Sequence, residues 1–299
     1  MTTSKPTILV TGASGALGRL VVERLLAAGP GGAVIAAARR PEAVGDLVDR
    51  GAEARVADYD RPETLAAAFD GVDRVLLISS SEVGQRVPQH RNAIEAARAA
   101  GVSLMAYTSL LRADTSPLGL GSEHSETEAL LRASGVPFVL LRNGWYTENH
   151  MAAVPAALQH GALFGAAGEG RIASAARVDY ADAAVAVLTS ASDQAGRTYE
   201  LAGDTAYTLA ELAAEISART GREIPYRDLT PQAYEQALLG AGLPAHVASL
   251  LADSDAGAAV GGLYDDSGEL GRLIGRPTAS MPDMVATTLM QAGKPAGAA

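Results

Sequence analysis

The chain has 299 residues, of which 48% are hydrophobic, and a formal net charge of −10 at neutral pH. These values exclude a disordered chain and allow one large domain or two smaller ones. The sequence holds no Cys, so disulfides, thiolate metal sites and cysteine nucleophiles are excluded. The acidic balance argues against nucleic-acid binding, and no apolar run is long enough to span a bilayer. The N-terminal segment does not have the pattern of a signal peptide, so we expect a soluble, cytoplasmic protein.

A glycine-rich turn lies close to the N-terminus, where residues 11–18 read TGASGALG directly after an apolar run. Gly12 can turn tightly, Gly15 lets a ligand approach the backbone, and Gly18 lets a strand and a helix pack closely. The helix that follows would present free N–H groups and its positive dipole end to a pyrophosphate. This Gly-x-x-Gly-x-x-Gly spacing, at the opening of a βαβ unit, predicts dinucleotide binding.

The first half of the chain alternates apolar runs with helical segments. We expect strands at 8–10, 33–38, 53–57, 74–78, 103–108 and 138–141, and helices at 17–26, 60–71 and 88–100. Near-continuous apolar runs are typical of strands that are covered on both faces. The predicted fold class is therefore α/β, with a Rossmann-type doubly wound parallel sheet that binds ligands beyond the carboxyl ends of its strands.

The alternation stops after Trp145, where Gly and Pro become frequent. We expect residues 1–150 to form a domain that binds NADP(H), and residues 151–299 to form a smaller, mostly helical substrate domain. Some later segments could return to the first sheet, and the small polar tail from about 291 is expected to fray. A capping-box pattern at 208–211 predicts the start of a helix.

The end of the second strand indicates which dinucleotide is bound. Arg39 and Arg40 stand where an NAD-selective protein usually has Asp or Glu. Arginine can clasp a 2′-phosphate through paired, charge-assisted hydrogen bonds. We therefore interpret Arg39 as a ligand of the 2′-phosphate, leave Arg40 open and predict NADP(H) over NAD(H). Asp58, after the third strand, either meets the adenine or caps the next helix.

The sequence lacks the acid of ordinary short-chain dehydrogenases, which use a Tyr-x-x-x-Lys pair and a Ser near the fifth strand. The only lysines are Lys5 and Lys294, so no such pair exists, although Ser109 lies at the expected place. His124 could donate a proton at neutral pH, or could serve only as a surface or hydrogen-bonding residue. A ketone would give an alkoxide that needs a proton at once, whereas a quinone gives a delocalised hydroquinone anion. The sequence therefore favours a quinone as the hydride acceptor.

Several segments together carry a recognisable pattern. They are LLISSSEVGQR at 76–86, AYTSLL at 106–111, LLRNGWYTEN at 140–149, and shorter matches at 113–119, 165–168, 252–255 and 273–278. On these segments the chain resembles the bacterial type 2 NAD(P)H:quinone oxidoreductases, which are atypical short-chain dehydrogenases of the NmrA-like group. The resemblance extends from residue 8 to about 278. It implies flavin-free, NADPH-dependent reduction of quinones, and a C-terminal domain that completes the quinone pocket.

The resemblance also implies the residues of the site. The pyrophosphate would lie against Gly12, Ala13, Ser14, Gly15, Ala16 and Leu17, the 2′-phosphate against Arg39, the cofactor path along Ser79, Ser80 and Ser81, and the nicotinamide and quinone beside Asn143, Gly144, Trp145 and Tyr146. Asn143 offers both a donor and an acceptor, and the Tyr146 hydroxyl can point at a quinone oxygen. We take these two as catalytic. Trp145 either flanks the ligands or anchors the core.

For three further sets of residues, the interpretation is either left open or is a structural role without chemistry. Arg171 either contacts a phosphate or the substrate, or is simply solvated. The segment 179–182 is expected to cap the helix that runs through Leu188. His150 and His160 have no acidic partners at metal-ligand spacing, so no metal is expected.

Two alternatives to a quinone reductase remain. One is an NADP(H)-sensing regulator without turnover, which the NmrA-like resemblance also allows. The other is a reductase of another activated carbonyl or an enone. Self-association into a homo-oligomer is left open by the sequence.

Overall fold

The computed structural model describes residues 5–292. Its strands are β1 Ile8–Val10, β2 Val34–Ala38, β3 Glu53–Val56, β4 Arg74–Leu77, β5 Leu104–Leu110, β6 Phe138–Asn143, β7 Leu163–Gly165, β8 Thr198–Leu201 and β9 Tyr226–Asp228. Its helices are α1 Ala16–Ala28, α2 Gly45–Asp49, α3 Pro62–Phe69, α4 Arg86–Ala100, α5 Gly121–Ser134, α6 Thr147–Met151, α7 Val154–His160, α8 Arg177–Thr189, α9 Leu209–Thr220, α10 Pro231–Gly240, α11 Ala245–Ala259, α12 Glu269–Ile274 and α13 Met281–Ala292. Within residues 5–292, no helix is long and apolar enough to cross a membrane.

The chain divides into two compact units. The first consists of the residues up to 114, of 120–143 and of 177–201, and the second of 115–119, 144–176 and the residues from 202 on. The change of unit after β6 thus lies at 143, not at the expected 150. Residues 177–201 return to the first unit, an arrangement that the sequence left open.

The first unit is built on a seven-stranded parallel sheet. Its strand order is β3-β2-β1-β4-β5-β6-β8, and every neighbouring pair is parallel. The chain moves outward from β1 to β3 and then crosses back to β4 on the other side of β1. This topological switch point leaves a crevice at the carboxyl ends of β1 and β4. The expected α/β fold with a Rossmann-type sheet is confirmed.

Both faces of this sheet are covered, as the apolar runs predict. Strands β1, β2 and β5 are buried along their whole length. Alternate residues such as Leu9, Val75 and Tyr107 join one core cluster with Phe69 of α3 and Leu131 of α5. Because successive side chains of a strand point to opposite faces, the other set meets α1 and α8, which pack together and contact the sheet.

The strand β8 is absent from the sequence-based prediction. Its four residues alternate between exposed or half-exposed and buried, because β8 is the last strand of the sheet and only part of it is covered. The short alternating run contains Thr and Glu and resembles a loop in composition. Edge strands of this kind give little periodic signal.

The second unit is mostly helical. Its sheet consists of β7 and β9, which pair in parallel. Helix α9 begins with the expected capping box, in which Thr208 accepts from the backbone of Glu211 and the Glu211 side chain accepts from the backbone of Thr208. Helix α13 contacts α6, α7 and α9. The tail that was expected to fray from about 291 lies, beyond Ala292, outside the described residues.

The segment expected to cap α8 is part of that helix. Asp179 lies in its first turn, where a negative charge suits the helix dipole. Asp182 lies further along α8 and forms an ion pair with Arg24 of α1 at 3.1 Å. The capping interpretation is therefore wrong for Asp182, which instead links the two helices.

A buried ionic network joins four elements of the first unit. Arg142 of β6 donates to both carboxylate oxygens of Glu128 on α5, at 2.7 and 2.8 Å. It also donates to Glu200 of β8 at 2.8 Å. The Ser109 hydroxyl of β5 donates to Glu128 at 2.6 Å. Burial opposes the charge of Glu128, but the hydrogen bonds from Arg142 and Ser109 outweigh it and lower the pKa of this carboxyl.

Replacing Arg142 by Met should therefore lower the free energy of unfolding far more than the loss of one surface charge would. The substitution leaves Glu128 charged in the interior, and we expect the free energy of unfolding to fall by about 3–5 kcal/mol. The matched control is Arg132→Met, because Arg132 pairs with the same carboxylate but has a side chain that is 49% exposed. Exposed pairs of this kind contribute at most about 1 kcal/mol. Urea unfolding of both variants measures the difference. Equal losses of unfolding free energy would contradict the larger contribution that we assign to the buried pair.

Candidate active site

The glycine turn packs the start of α1 closely against the backbone that follows β1. Gly12 has a φ of +60°, in the left-handed region that favours glycine. A Cβ atom on Gly18 would lie only 2.3 Å from the Gly12 carbonyl oxygen. Gly15 stands at the N-cap of α1 and provides no side-chain cap. The first turn of α1 therefore has the backbone geometry of an anion site.

A cavity of about 260 Å³ opens beside this turn. The segments that follow β1, β2, β3 and β4 line it together with one side chain of α4. The lining residues are Gly12, Ser14, Gly15, Ala38, Arg39, Ala57, Asp58, Tyr59, Asp60, Ile78, Ser79, Ser80, Ser81, Glu82 and Gln89. The cavity thus lies at the switch point of the sheet, where such folds hold dinucleotides.

The structure places the predicted cofactor residues in two groups. Those that line the cavity are Gly12, Ser14, Gly15, Arg39, Ser79, Ser80 and Ser81. Ala13 and Leu17 are instead buried in the core below the turn, and Ala16 is the exposed first residue of α1. A direct ligand contact by any of these residues stays a prediction.

Beneath the turn, one phenol ties β1 to the segment after β4. The Tyr59 hydroxyl lies 2.6 Å from Thr11 Oγ1 and 2.7 Å from the carbonyl oxygen of Ile78. Thr11 Oγ1 also accepts from the backbone N–H of Ile78 at 2.9 Å. Burial raises the pKa of Tyr59, so the phenol is neutral at physiological pH. Sequence reasoning missed Tyr59, although it follows Asp58 directly.

The serine segment after β4 depends on a buried histidine. His90 of α4 accepts from the backbone N–H of Ser80 through Nε2 at 3.0 Å. Its Nδ1 lies 3.0 Å from Thr127 Oγ1, which donates to the carbonyl oxygen of Glu123. Nδ1 therefore carries the proton and donates to Thr127. Burial, with a smaller effect of nearby Arg86, lowers the pKa of His90 to about 3.

The Asp58 side chain bonds to the neighbouring Asp60, whereas the Asp58 backbone N–H donates to Thr64 Oγ1 of α3 at 3.0 Å. Asp58 Oδ1 accepts from the backbone N–H of Asp60 at 3.1 Å. Helix α3 begins after Arg61 without a side-chain cap. Because Asp58 lines the cavity and does not cap α3, the adenine interpretation is the one that its position favours.

Neither expected source of a proton is free for chemistry. The Ser109 hydroxyl donates to Glu128. His124 is 5% exposed and its Nδ1 lies 2.7 Å from the Tyr107 hydroxyl. Burial and the nearby Arg86 hold the pKa of His124 well below its usual range. The imidazole is therefore neutral at pH 7 and has a structural hydrogen bond, which favours the non-catalytic interpretation of His124.

Asn143 ends β6, and its side-chain amide oxygen is unsatisfied. Its side chain is 5% exposed, and Oδ1 has no hydrogen-bond partner among the described residues. A buried polar atom without a partner is uncommon and often marks a functional position. Gly144 and Tyr146 follow in the second unit, where Tyr146 bridges to Ala175.

Arg171, also in the second unit, donates to the carbonyl oxygen of Ala206 at 2.5 Å. Its contact with a phosphate or substrate stays a prediction.

The second unit contains its own cavity, of about 500 Å³. Its walls are mainly apolar and come from α6, α7, β7, α9, α10 and α11. Their polar and aromatic members are Trp145, Asn149, His150, His160, Phe164, Tyr234 and Asp255. Asp255 accepts from the backbone N–H of Ala166 at 2.8 Å. Burial raises the pKa of this carboxyl to about 6. The sequence analysis singled out Trp145, His150, His160 and the segment 252–255 separately. It did not bring them together in one cavity, because their proximity is tertiary.

A chain of hydrogen bonds ends at this second cavity. His150 Nδ1 lies 2.9 Å from the Tyr207 hydroxyl, which lies 2.7 Å from Ser174 Oγ. Ser174 Oγ is in turn 2.8 Å from Thr147 Oγ1. Burial lowers the pKa of His150 to about 4, so the cavity wall has a neutral imidazole at pH 7. Within the described residues, no group of three His, Asp or Glu side chains could hold a metal ion.

The parallel sheet, the glycine turn and the arginine after β2 together define a dinucleotide-binding protein of the Rossmann type. A family profile described as NAD(P)H-binding matches residues 12–191, and the chain belongs to this family. Quinone oxidoreductase 2 of Escherichia coli strain K12 is 52% identical over 278 residues, which are 93% of this chain and 97% of the relative. The resemblance drawn from the sequence is confirmed.

Two solved structures extend this comparison. An NADPH-dependent quinone oxidoreductase from Escherichia coli, complexed with NADPH, is 51% identical with a TM-score of 0.91, and the match covers 94% of this chain and 99% of the other. The triphenylmethane reductase of Citrobacter sp., complexed with NADP(H), is 33% identical with a TM-score of 0.89 and the same coverage of 94% and 99%.

The buried histidine below the serine segment predicts a pH dependence of stability. A histidine in an unfolded chain has a pKa of about 6.5, whereas the pKa of His90 is about 3 in the folded protein. Between these values the unfolded state binds more protons, so the free energy of unfolding falls as the pH drops below about 6.5. His90→Gln should lower this slope between pH 6 and 5 by up to about 1.4 kcal/mol per pH unit.

The control for this measurement is His246→Gln, because His246 is an exposed residue of α11. Urea unfolding at pH 7.5, 6 and 5 gives the slopes of the wild type and both variants. An unchanged slope in His90→Gln would show that His90 is not held neutral in the folded state.

Proposed function

We propose that this chain is an NADPH-dependent oxidoreductase that reduces quinones to hydroquinones by direct, two-electron hydride transfer. The observation that carries the proposal is the 52% identity to quinone oxidoreductase 2 over 97% of that protein. The cavity at the switch point and the arginine after β2 support NADPH as the reductant. Because NADPH is an intracellular reductant, we also propose that the enzyme works in the cytoplasm on small-molecule quinones.

The residues of the first unit fit a dinucleotide. A side chain on Gly18 would collide with the Gly12 carbonyl, so the turn keeps a cradle that only glycines allow. The first N–H groups of α1 would bind the pyrophosphate, and Arg39 would clasp the 2′-phosphate. The segment 79–81 would follow the cofactor toward the carboxyl end of β4. Its position is fixed by the bond between Ser80 and His90.

The reaction depends on positioning, since no strong acid is available where short-chain dehydrogenases have one. Bound NADPH supplies a hydride, which carries the two electrons to the quinone. Asn143 would orient the reacting groups with its unpartnered Oδ1 and its amide N–H. Ser109 stays bonded to Glu128 and His124 to Tyr107. Water can protonate the hydroquinone anion, because that anion is delocalised.

The lining of the cavity in the second unit suits a flat, apolar acceptor. Its walls combine the indole of Trp145 and the phenol of Tyr234 with many Ala and Leu side chains. Aromatic rings of this kind stack on conjugated ligands. Tyr146, next to Trp145, would direct its hydroxyl to a quinone oxygen. The same cavity favours a second candidate substrate class, the large conjugated acceptors that the name of the triphenylmethane reductase describes.

The first test follows NADPH absorbance after addition of benzoquinone, naphthoquinone or a triphenylmethane dye, and repeats each assay with NADH. We expect faster oxidation of NADPH than of NADH. Arg39→Ala should raise KM for NADPH by roughly tenfold, as expected for a lost charged contact, and leave KM for NADH nearly unchanged. Arg91→Ala is the control, because Arg91 is an exposed residue of α4 outside the cavity.

Each result of this test is decisive for one part of the proposal. Equal effects of Arg39→Ala on both cofactors would remove Arg39 from the 2′-phosphate. Binding of NADPH without oxidation by any acceptor would favour the sensing regulator over the enzyme.

A second prediction concerns Asn143. Asn143→Ala should lower kcat by roughly tenfold to a hundredfold, because reacting groups that are less well oriented react more slowly. Its KM for NADPH should change much less, since the phosphates are held elsewhere. Steady-state kinetics with both substrates separate the two quantities, and a thermal melt shows that the variant is folded. An unchanged kcat would end the proposed role of Asn143.

A further inference from the structure

We propose that Glu82 weakens the preference for NADPH over NADH, by competing with the 2′-phosphate of NADPH for Arg39. The proposal rests on the proposed assignment of Arg39 to that phosphate. It concerns cofactor binding alone and is independent of which acceptor the enzyme reduces.

The competition begins with an ion pair inside the cofactor cavity. Arg39 Nη1 lies 3.2 Å from Glu82 Oε1, and both residues line the cavity. Glu82 is the partner of Arg39 among the contacts of the described residues. The guanidinium that would clasp a phosphate is therefore turned toward a carboxylate of the same protein, and the phosphate has to take its place.

The Glu82 carboxylate is held in this position from its other side. Its Oε2 accepts from Gln89 Nε2 at 3.0 Å. Gln89 is 2% exposed, and the same Nε2 lies 3.1 Å from both carboxylate oxygens of Asp60. The three carboxylate oxygens around this nitrogen fix the orientation of the amide, because the alternative orientation would bring the amide oxygen against negative charge. Glu82 is thus a positioned residue of the cavity wall.

Charge makes the competition specific for NADPH. The cavity wall contains three carboxylates, from Asp58, Asp60 and Glu82, and one guanidinium, from Arg39. NADPH differs from NADH by one phosphate, which is an additional negative charge at the adenosine ribose. Each carboxylate near Arg39 therefore disfavours NADPH more than NADH. Asp58 and Asp60 bond to other groups, so Glu82 is the carboxylate that occupies Arg39 directly.

The solvent exposure of both side chains limits how much Glu82 can change the affinity for NADPH. The side chain of Arg39 is 69% exposed and that of Glu82 is 43% exposed. Ion pairs at such positions are screened by solvent and are weak. Glu82 therefore adjusts the cofactor ratio and does not prevent NADPH from binding.

The test measures Kd for NADPH and NADH without any quinone, by titration of the whole protein. Glu82→Gln keeps the shape and an oxygen for the Gln89 amide, and removes the charge. The ratio of Kd for NADH to Kd for NADPH should rise by roughly twofold to fivefold, the range expected for a weak exposed pair. The control Glu42→Gln removes the same charge three residues after Arg39, outside the cavity lining, and should leave the ratio within a factor of about 1.5.

A double-mutant comparison separates competition for Arg39 from general repulsion. In an Arg39→Ala background, Glu82→Gln should change the ratio much less than in the wild type. An unchanged or lower ratio in Glu82→Gln would overturn the proposal. So would an equal rise in the Arg39→Ala background, because Glu82 would then act without Arg39.

These outcomes are distinct from a failure of the proposed function. Loss of quinone turnover would leave all the binding ratios intact. If Arg39→Ala itself left the ratio unchanged, the assignment of Arg39 to the phosphate would fail, and the competition would fail with it.

Discussion

The bidentate pair between Arg142 and Glu128 is the interaction on which both the fold and the chemistry of the first unit depend. It links the last strands of the sheet to α5, with Glu200 and Ser109 bonded to the same two groups. Both members of the pair are nearly inaccessible to solvent. A buried charge that loses its partner is strongly destabilising, so a catalytic role that broke the pair would greatly weaken the first unit.

This constraint, together with the separate burial of His124, explains why the active site favours acceptors that need no strong acid. The hydroxyl of Ser109 is directed at Glu128, and the neutral imidazole of His124 is bonded to Tyr107. A ketone would need a proton from one of these positions as the hydride arrives. A quinone, or another extended conjugated acceptor, spreads the negative charge over its own atoms. The protein then has only to bind and orient its two ligands.

Sequence reasoning recovered most of the first unit because its signals are local. The apolar runs of β1, β2 and β5 and the spacing of Gly12, Gly15 and Gly18 can be read without a partner segment. The residues that it missed depend on tertiary contacts. His90 and Tyr59 are separated in sequence from the backbone groups that they hold, and nothing in the neighbouring residues indicates those bonds. The same applies to β8, whose pairing with β6 decides its conformation more than its composition does.

The same distinction between local and tertiary features applies to cofactor binding. Affinity for the dinucleotide would come from the local glycine turn, whereas selectivity for NADPH would come from side chains that the fold brings together. In the proposed function, the glycine turn and the start of α1 would bind phosphate through backbone groups, which are fixed by the fold and independent of side-chain charge. Such binding suits a chain with a net charge of −10, because the pyrophosphate would be held without a cluster of lysines. Selectivity for the 2′-phosphate would depend instead on the exposed guanidinium of Arg39, which shares the cavity wall with three carboxylates. Salt screens exposed charges over about 8 Å at physiological ionic strength, so ionic conditions should alter the choice of cofactor more than the ability to bind one.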